Sequence, residues 1–392
     1  MTETRDDRTP LERFLSIFTE VRGGEATTLL MLTLNIFLIL TAYYLVKPVR
    51  EALILATPGG AEIKSYAAAG QALLLLGAIP MYSWLASRVP RRRLINTVTV
   101  FFAGCLALFY VLIAAGVPVA VVFFLWVGIF NLMVPAQFWA FANDIYTPEA
   151  GKRLFVIVAF GASMGAVVGS YIAGQLIDIL GVSQLLLVSG GVLLSSLILT
   201  NLVDRREGAV SAGQVQDAVD DEPLGDTGAF RLLMQNRYLL LIAFLMLVLN
   251  WVNTTGEYIL GRAVREAALA VTDEPAAVEE FIGSFYANFF TVVNIVGLLL
   301  QLFIVSRILK YLGVRVAIFV LPLIALGGYM IAAFYPLLAI IRNVKIAENA
   351  TDYSLQNTVR QVLFLPTTRE EKYKAKQAID TFFQRGGDVL SA

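Results

Sequence analysis

The tetrapeptide Val49-Arg50-Glu51-Ala52 occurs a second time in this chain of 392 residues, as Val264-Arg265-Glu266-Ala267. Two further landmarks recur in the same order, namely Ser87-Arg88 as Ser306-Arg307 and Glu149, with its basic neighbours, as Glu370 with Lys372 and Lys374. The displacements of 215, 219 and 221 residues are nearly constant. A repeat of this length predicts two homologous halves in parallel orientation, an arrangement that places a binding site between the halves.

The composition indicates a protein that lives in lipid. Hydrophobic residues make up 58% of the chain and charged residues only 15%, which is too apolar for a soluble domain of this length. Ten apolar runs reach about 20 residues, enough to cross a hydrocarbon core of ~30 Å. They lie near residues 27–46, 65–86, 94–116, 118–144, 154–176, 183–203, 238–260, 282–305, 315–335 and 336–360. The sequence therefore predicts an all-α integral membrane protein.

Lysine and arginine placement predicts the orientation. With the N-terminus taken as cytoplasmic, 22 of the 30 basic residues fall in cytoplasmic segments and 5 in outside segments, as the positive-inside rule requires. The first apolar run is too long for a signal peptide, follows a polar leader and has no small-residue cleavage site. We expect a multi-pass protein with a cytoplasmic N-terminus, in a bacterial cytoplasmic membrane.

The chain divides into four predicted segments. Residues 1–26 carry Leu11, Phe14, Leu15 and Phe18 on one helical face and form a cytoplasmic amphipathic segment. Residues 27–203 form an N-terminal six-helix half, 204–236 a polar cytoplasmic linker, and 237–392 a C-terminal half. Aligning Glu149 with Glu370 starts the counterpart of the fifth span near Lys376. We therefore expect 10 to 11 of 12 helices, with the C-terminal half truncated in helix 11.

The chain lacks residues that several classes of functional site require. Cys105 is the only cysteine and the chain has no histidine, so disulfides and the common zinc and haem sites are not expected. We expect no metal and no cofactor. Basic residues are spread along loops rather than gathered in a patch, which argues against a nucleic-acid partner. A membrane-embedded enzyme is disfavoured because the chain lacks a nucleophile elbow and a phosphate-binding loop.

Polar residues concentrate in spans 1, 4, 7 and 10, which face the cavity in a two-half bundle of this kind. Span ten carries a stripe within about 80° of one helical face, formed by Arg342, Lys345, Asn349, Asp352, Gln356 and Arg360. A charge facing lipid costs ~3 kcal/mol or more, so we expect the stripe to face protein or water. It is either part of a substrate pathway or a set of buried ion pairs that lock the halves together.

The other three spans contribute fewer charges. Glu257 is the only carboxylate of span seven, and Asp144 lies near the cytoplasmic end of span four, where an interfacial role is the alternative. Lys47 and Arg50 lie near Pro48, which loosens the first span, although Lys47 could instead reach the outer interface. The candidate substrate-binding residues are Lys47, Arg50, Asp144, Glu257, Arg342, Lys345, Glu348 and Asp352.

Glycines follow one face of the fifth span at Gly161, Gly165 and Gly169, with Gly174 beyond them. Small residues four positions apart allow two helices to approach closely. We interpret this stripe as a packing surface rather than a binding site.

Three stretches resemble one family: Tyr43–Leu53, Asn250–Glu257 and Asp352–Pro366. They are similar to the ATP/ADP translocases of plastids and intracellular bacteria, nucleotide transporters related to the major facilitators. The similarity covers essentially the whole chain and is most specific from Asp352 to Asp380. The resemblance implies a major-facilitator-like bundle in which charged residues of spans 1, 4, 7 and 10 serve transport. By position these are Lys47, Asp144, Glu257 and Lys345, with Asp144 standing where the family pattern suggests Glu.

The resemblance implies exchange of nucleotides such as ATP for ADP by alternating access. The four basic candidates suit phosphate oxygens, but the four acidic candidates balance their charge, so a nucleotide and another organic anion both remain open as substrates. One alternative is a proton-coupled carrier of another organic anion or a drug, with Glu257 or Glu348 titrating. Another is a non-transporting membrane interaction protein. We expect a monomer in the lipid bilayer.

Overall fold

The computed structural model describes residue 15 and residues 20–86, 88–211, 229–368, 371, 379 and 383–391. All regular structure in these ranges is helical, and none of them contains a strand. Several predicted features lie outside the described residues: Ser87, Glu370, Lys372 and Lys374, most of the segment 1–26, and much of the linker 204–236.

Six long helices form the first part of the chain: α1 (Glu25–Ala56), α2 (Gly60–Ala86), α3 (Arg91–Ala114), α4 (Ala120–Ile145), α5 (Pro148–Leu180) and α6 (Leu185–Ser211). The second part contains α7 (Ala229–Gln235), α8 (Arg237–Val271), α9 (Pro275–Leu299), α10 (Gly313–Phe334), α11 (Leu338–Thr351), α12 (Asn357–Leu363) and α13 (Gln384–Ser391). Three π-helical turns interrupt this part, at Leu300–Ile304, Ile308–Leu312 and Asp352–Gln356.

Seven helical stretches of the described residues are long and apolar enough to cross a membrane. They are Glu25–Ala56, Arg92–Ala114, Ala120–Ile145, Arg153–Leu180, Leu185–Arg206, Arg237–Val271 and the 60-residue stretch Pro275–Phe334, which includes both α9 and α10. The predicted all-α membrane fold is confirmed. The count of ten spans remains a prediction.

The helix ends follow from local chemistry. Helix α5 begins with Pro148 in its first turn, and the side chain of Thr147 accepts a hydrogen bond from the N–H of Ala150 at 3.4 Å. It ends at Gly181, whose φ of 91° favours glycine. Helix α8 begins at Asn236, whose side chain accepts from the N–H of Tyr238 at 3.0 Å. Each cap satisfies a backbone group that the helix itself leaves without a partner.

The chain forms two compact units. The first unit contains the described residues of Met1–Val49, Pro80–Val119 and Val127–Gln216. Polar side chains inside it are paired across helices: the amide of Asn35 donates to the Thr200 hydroxyl at 2.6 Å, and Arg153 lies 2.9 Å from the carboxylate of Glu25. Such pairing is required where water is excluded.

The glycine stripe of α5 packs against α1 inside the first unit. A Cβ atom at Gly165 would lie 2.3 Å from the carbonyl oxygen of Phe37. At Gly161 and Gly169 it would lie 2.7 Å from the carbonyl oxygens of Thr33 and Thr41. The predicted packing role is confirmed, because no side chain larger than hydrogen fits between these backbones.

The second unit contains the described residues of Arg50–Ile79, Ala120–Trp126 and Asp217–Ala392. Here α13 packs against α8 in a similar way. A Cβ atom at Gly387 would lie 2.5 Å from the backbone nitrogen of Trp251. Beside this contact the carboxylate of Asp388 accepts hydrogen bonds from Asn250 and Thr254, each at 2.7 Å.

Replacing Gly165 by Ala is expected to destabilise the protein by about 1–3 kcal/mol, because the added methyl group overlaps the backbone of α1. Thermal unfolding in detergent measures the effect. Gly104→Ala is the matched control, since a Cβ atom there has nothing within 4 Å. It should leave stability unchanged or raise it by up to about 1 kcal/mol. Equal melting temperatures for the two variants would contradict the packing role.

Candidate functional site

A chain of alternating charges runs through the second unit. Its members come from α1, α2, α8 and α11, and in spatial order they are Arg50, Glu51, Lys64, Glu257, Lys345 and Glu348. We call this set the charge ladder. Three cations alternate with three carboxylates. Each member between the two ends therefore has a charge of the sign opposite to its own on either side.

The first rungs join α1 to α2. Nε of Arg50 donates to Glu51 Oε1 at 3.0 Å, and Nζ of Lys64 lies 2.7 Å from Glu51 Oε2. The Glu51 side chain is 1% exposed, so its charge depends on these two cations. Aromatic rings cover the outer faces of both cations, with Arg50 over Phe124 at 4.8 Å from the ring centroid. Lys64 then reaches Glu257 of α8 at 3.5 Å.

The last rungs surround Lys345, a lysine with no exposed surface. Its Nζ lies 3.6 Å from Glu257 Oε1 and 3.1 Å from Glu348 Oε2, and it donates to Asn253 Oδ1 at 2.9 Å. The hydroxyl of Tyr329 donates to Glu348 Oε2 at 2.6 Å. The buried charges are therefore paired and hydrogen-bonded, the condition under which a membrane interior tolerates them.

Gly256 makes this arrangement possible. A Cβ atom on Gly256 would lie 1.8 Å from the hydroxyl oxygen of Tyr329 and 3.0 Å from Nζ of Lys345. The absence of a side chain lets α10 and α11 bring their polar groups against α8, directly beside Glu257.

A polar cavity of about 370 Å³ adjoins the Glu348 end of the charge ladder. Helices α8, α10, α11, α12 and the π-turn Asp352–Gln356 form its walls. The polar lining residues are Asn250, Asn253, Glu348, Asp352, Tyr353, Gln356, Asn357 and Arg360, and the apolar ones are Met246, Leu249, Val252, Leu321 and Ala325. Glu348 belongs to both features, and Asn253, which accepts a hydrogen bond from Lys345, also lines the cavity, so the ladder ends in the wall of the polar cavity.

The structure brings together five of the eight predicted binding residues. Arg50, Glu257, Lys345 and Glu348 are members of the ladder, and Asp352 lines the polar cavity with Glu348.

The other three predicted residues lie elsewhere. Arg342 donates to the side chain of Asn288 at 2.6 Å and is not part of the cavity lining. Lys47 belongs to the first unit, where its Nζ lies 5.1 Å from the ring centroid of Tyr44. Asp144 is exposed in the last turn of α4.

Sequence reasoning missed several members of the site. Glu51 lies inside the repeated tetrapeptide, but nothing in the sequence indicates that it pairs with Lys64. Lys64 is one of the five basic residues that the sequence predicts for outside segments, and in the structure it lies in the first turns of α2 and is buried. Tyr329 offered no signal, because a tyrosine in an apolar span is ordinary.

Glu257→Gln is expected to destabilise the protein by about 1.5–3 kcal/mol, because it removes the charge that separates Lys64 from Lys345. The matched control is Glu266→Gln on the same helix, where an exposed carboxylate pairs with Arg262 at 2.8 Å. That variant should unfold near the wild-type temperature. Thermal unfolding of both purified variants makes the comparison. An equal effect from the two would show that the ladder does not stabilise the fold.

Comparison with known proteins assigns this chain to a family. The profile of the Major Facilitator Superfamily matches residues 31–346. A curated relative is ADP,ATP carrier protein 1 of Chlamydia pneumoniae, which is 24% identical over 295 residues, covering 66% of this chain and 56% of the relative. The chain thus spans about half the length of this relative.

Solved transporter structures share the fold. The nucleoside transporter NupG superposes with a TM-score of 0.64 at 11% identity, over 93% of this chain and 89% of its own. A bacterial homologue of the iron transporter ferroportin gives a TM-score of 0.64 at 14% identity, over 93% and 90%. A bacterial homologue of the lysosomal transporter Spinster gives 0.58 at 16% identity, over 93% and 80%. With the superfamily profile covering most of its length, the chain belongs to the Major Facilitator Superfamily and has the multi-pass membrane fold of that family.

Proposed function

We propose that this transporter exchanges nucleotides, ATP against ADP, by alternating access. The similarity to the ADP,ATP carrier of Chlamydia pneumoniae suggests the substrate. The observation that carries the proposal is the placement of Lys345, a fully buried cation whose carboxylate partner Glu348 lines the polar cavity. Ionisable residues inside membrane spans cost free energy, and they commonly mark a substrate or ion pathway.

Lys345 is suited to exchange one anion for another. Its ammonium group already holds two carboxylates, and a phosphate oxygen can replace one of them with a charge-assisted hydrogen bond of the same kind. Replacement of Glu348 by substrate would leave Lys345 paired throughout. The cost of leaving the Lys345 ammonium without a partner would then be avoided during binding, while Glu348 would keep its hydrogen bond from Tyr329.

The remaining parts of the proposal extend the sequence predictions. The halves 27–203 and 237–392 would be the two parallel repeats that rock around the site. Lys47, Asp144 and Arg342 would be further substrate-binding residues, as the sequence predicts. The transporter would act as a monomer with its N-terminus in the cytoplasm, in a bacterial cytoplasmic membrane.

The carboxylates of the polar cavity favour a second candidate function. Glu348 and Asp352 line this cavity with a single arginine, Arg360, and Glu348 accepts a hydrogen bond from Tyr329. A carboxylate in such a place can carry a proton. A proton-coupled carrier of another organic anion is therefore the alternative to nucleotide exchange.

The test is counterflow of labelled ATP into proteoliposomes loaded with ADP, using the full protein. Lys345→Gln should lower uptake by about tenfold or more, because it removes a charge-assisted contact of about 1.5–3 kcal/mol. Lys345→Arg should retain part of the activity, since the charge remains while its geometry changes. Lys310→Gln is the matched control, an exposed lysine outside the ladder and the polar cavity, and it should transport normally.

Melting curves of the same variants separate binding from folding. A Lys345→Gln protein that melts like the wild type but exchanges normally would exclude Lys345 as the phosphate contact. Uptake that needs a proton gradient and no internal nucleotide would favour the proton-coupled alternative. Absence of any nucleotide counterflow by the wild type would reject nucleotide exchange.

A further inference from the structure

Gln356 has a buried side-chain amide without a hydrogen-bond partner among the described residues. The residue is 3% exposed and lines the polar cavity. Neither its Oε1 nor its Nε2 has a hydrogen-bond partner among the described residues. Amides nearby are bonded: the buried Asn349 donates to Glu257 at 3.1 Å, and the half-buried Asn253 accepts from Lys345. An unbonded buried amide is costly, so its persistence calls for an explanation.

The backbone around Gln356 is also irregular. Asp352–Gln356 is a π-helical turn between α11 and α12. Single π-turns inside α-helices occur frequently at functional sites. This turn supplies Asp352, Tyr353 and Gln356 to the cavity wall, while Ser354 and Leu355 are buried elsewhere. The irregularity therefore coincides with the unbonded amide.

The chemistry of the polar cavity selects one part of a nucleotide. A primary amide presents one acceptor and two donors, the pattern that pairs in a bidentate manner with N7 and the 6-amino group of adenine. Tyr353 adds an aromatic ring for contact with a base. Two carboxylates, Glu348 and Asp352, can accept from ribose hydroxyls.

The charge of the cavity wall disfavours the phosphates in the same space. The cavity wall contains two carboxylates against one guanidinium, that of Arg360, which disfavours a polyanion. Its volume of about 370 Å³ lies at the low end of the ~300–1,000 Å³ typical of ligand pockets. The nearest fully buried cation is Lys345, just beyond Glu348 at 3.1 Å.

We infer that the polar cavity binds the adenosine part of the substrate, with the amide of Gln356 pairing to the adenine edge and the phosphates directed toward Lys345. This assignment rests on the proposed nucleotide function and specifies how the substrate lies in the site. It also assigns base selectivity to Gln356, a positioning and recognition group that needs no charge.

The test measures binding to the purified full protein, independently of transport. The ligands are adenosine, 7-deazaadenosine, which lacks N7, purine riboside, which lacks the 6-amino group, and uridine. The wild type should bind adenosine about tenfold more tightly than either purine analogue, because each loses one of the two hydrogen bonds. In Gln356→Leu adenosine affinity should fall about a hundredfold, because both hydrogen bonds are lost, and the difference between adenosine and its analogues should vanish.

Stability provides a second readout. Leucine is smaller than glutamine and puts apolar atoms in place of the unbonded polar ones, so Gln356→Leu should melt at or above the wild-type temperature. The matched control is Gln361→Leu, the same substitution at an exposed position outside the cavity lining, which should bind all four ligands like the wild type. If Gln356→Leu does not fold, that result contradicts the unbonded amide, and the analogue series on the wild type alone decides the assignment.

The outcomes separate this inference from the proposed function. Equal affinity of the wild type for adenosine and uridine, or unchanged adenosine binding by Gln356→Leu, overturns the adenosine site even if ATP and ADP exchange normally. Selective adenosine binding that depends on Gln356, without any counterflow of ATP against ADP, retains the adenosine site and rejects nucleotide exchange.

Discussion

The high cost of charge in a medium without water is the constraint on which the site depends. Lys345 is fully buried, and its ammonium group is tolerable only because Glu257 and Glu348 lie within 3.6 Å and 3.1 Å. Those carboxylates need partners in turn, which Lys64, Asn349 and Tyr329 provide. Once one charge is buried, the requirement for pairing extends from helix to helix until it reaches Arg50 near the end of α1.

The sequence was sufficient for features that depend on local pattern. Hydrophobic run length predicted the helices, and helical spacing selected Lys345 and Glu257 because charges inside apolar runs are rare. The glycine spacing of α5 predicted the close contact with α1 that Gly165 makes. The predictions of the helices and of the glycine contact held because each depends on residues within one helix and on the solvent around it, whereas the choice of Lys345 and Glu257 as binding residues remains a prediction.

Features that depend on contacts between distant segments were not predictable. Nothing local pairs Glu51 with Lys64 and then with Glu257, which is about 200 residues further along the chain. The polar stripe of span ten was counted at the α-helical angle of about 100° per residue, but the π-turn Asp352–Gln356 changes that register. Arg342, which precedes this turn, contacts Asn288, whereas Gln356, at the end of the turn, lines the polar cavity.

The balance of the charge ladder has an electrical consequence. Its three cations and three carboxylates sum to zero. A unit charge moved across 100 mV exchanges about 2.3 kcal/mol with the membrane potential. If the six groups shift together along the membrane normal, that work cancels. The resting voltage then exerts no net force on this part of the protein, and any voltage dependence of its movements has to come from charges outside the ladder, including those of whatever it carries.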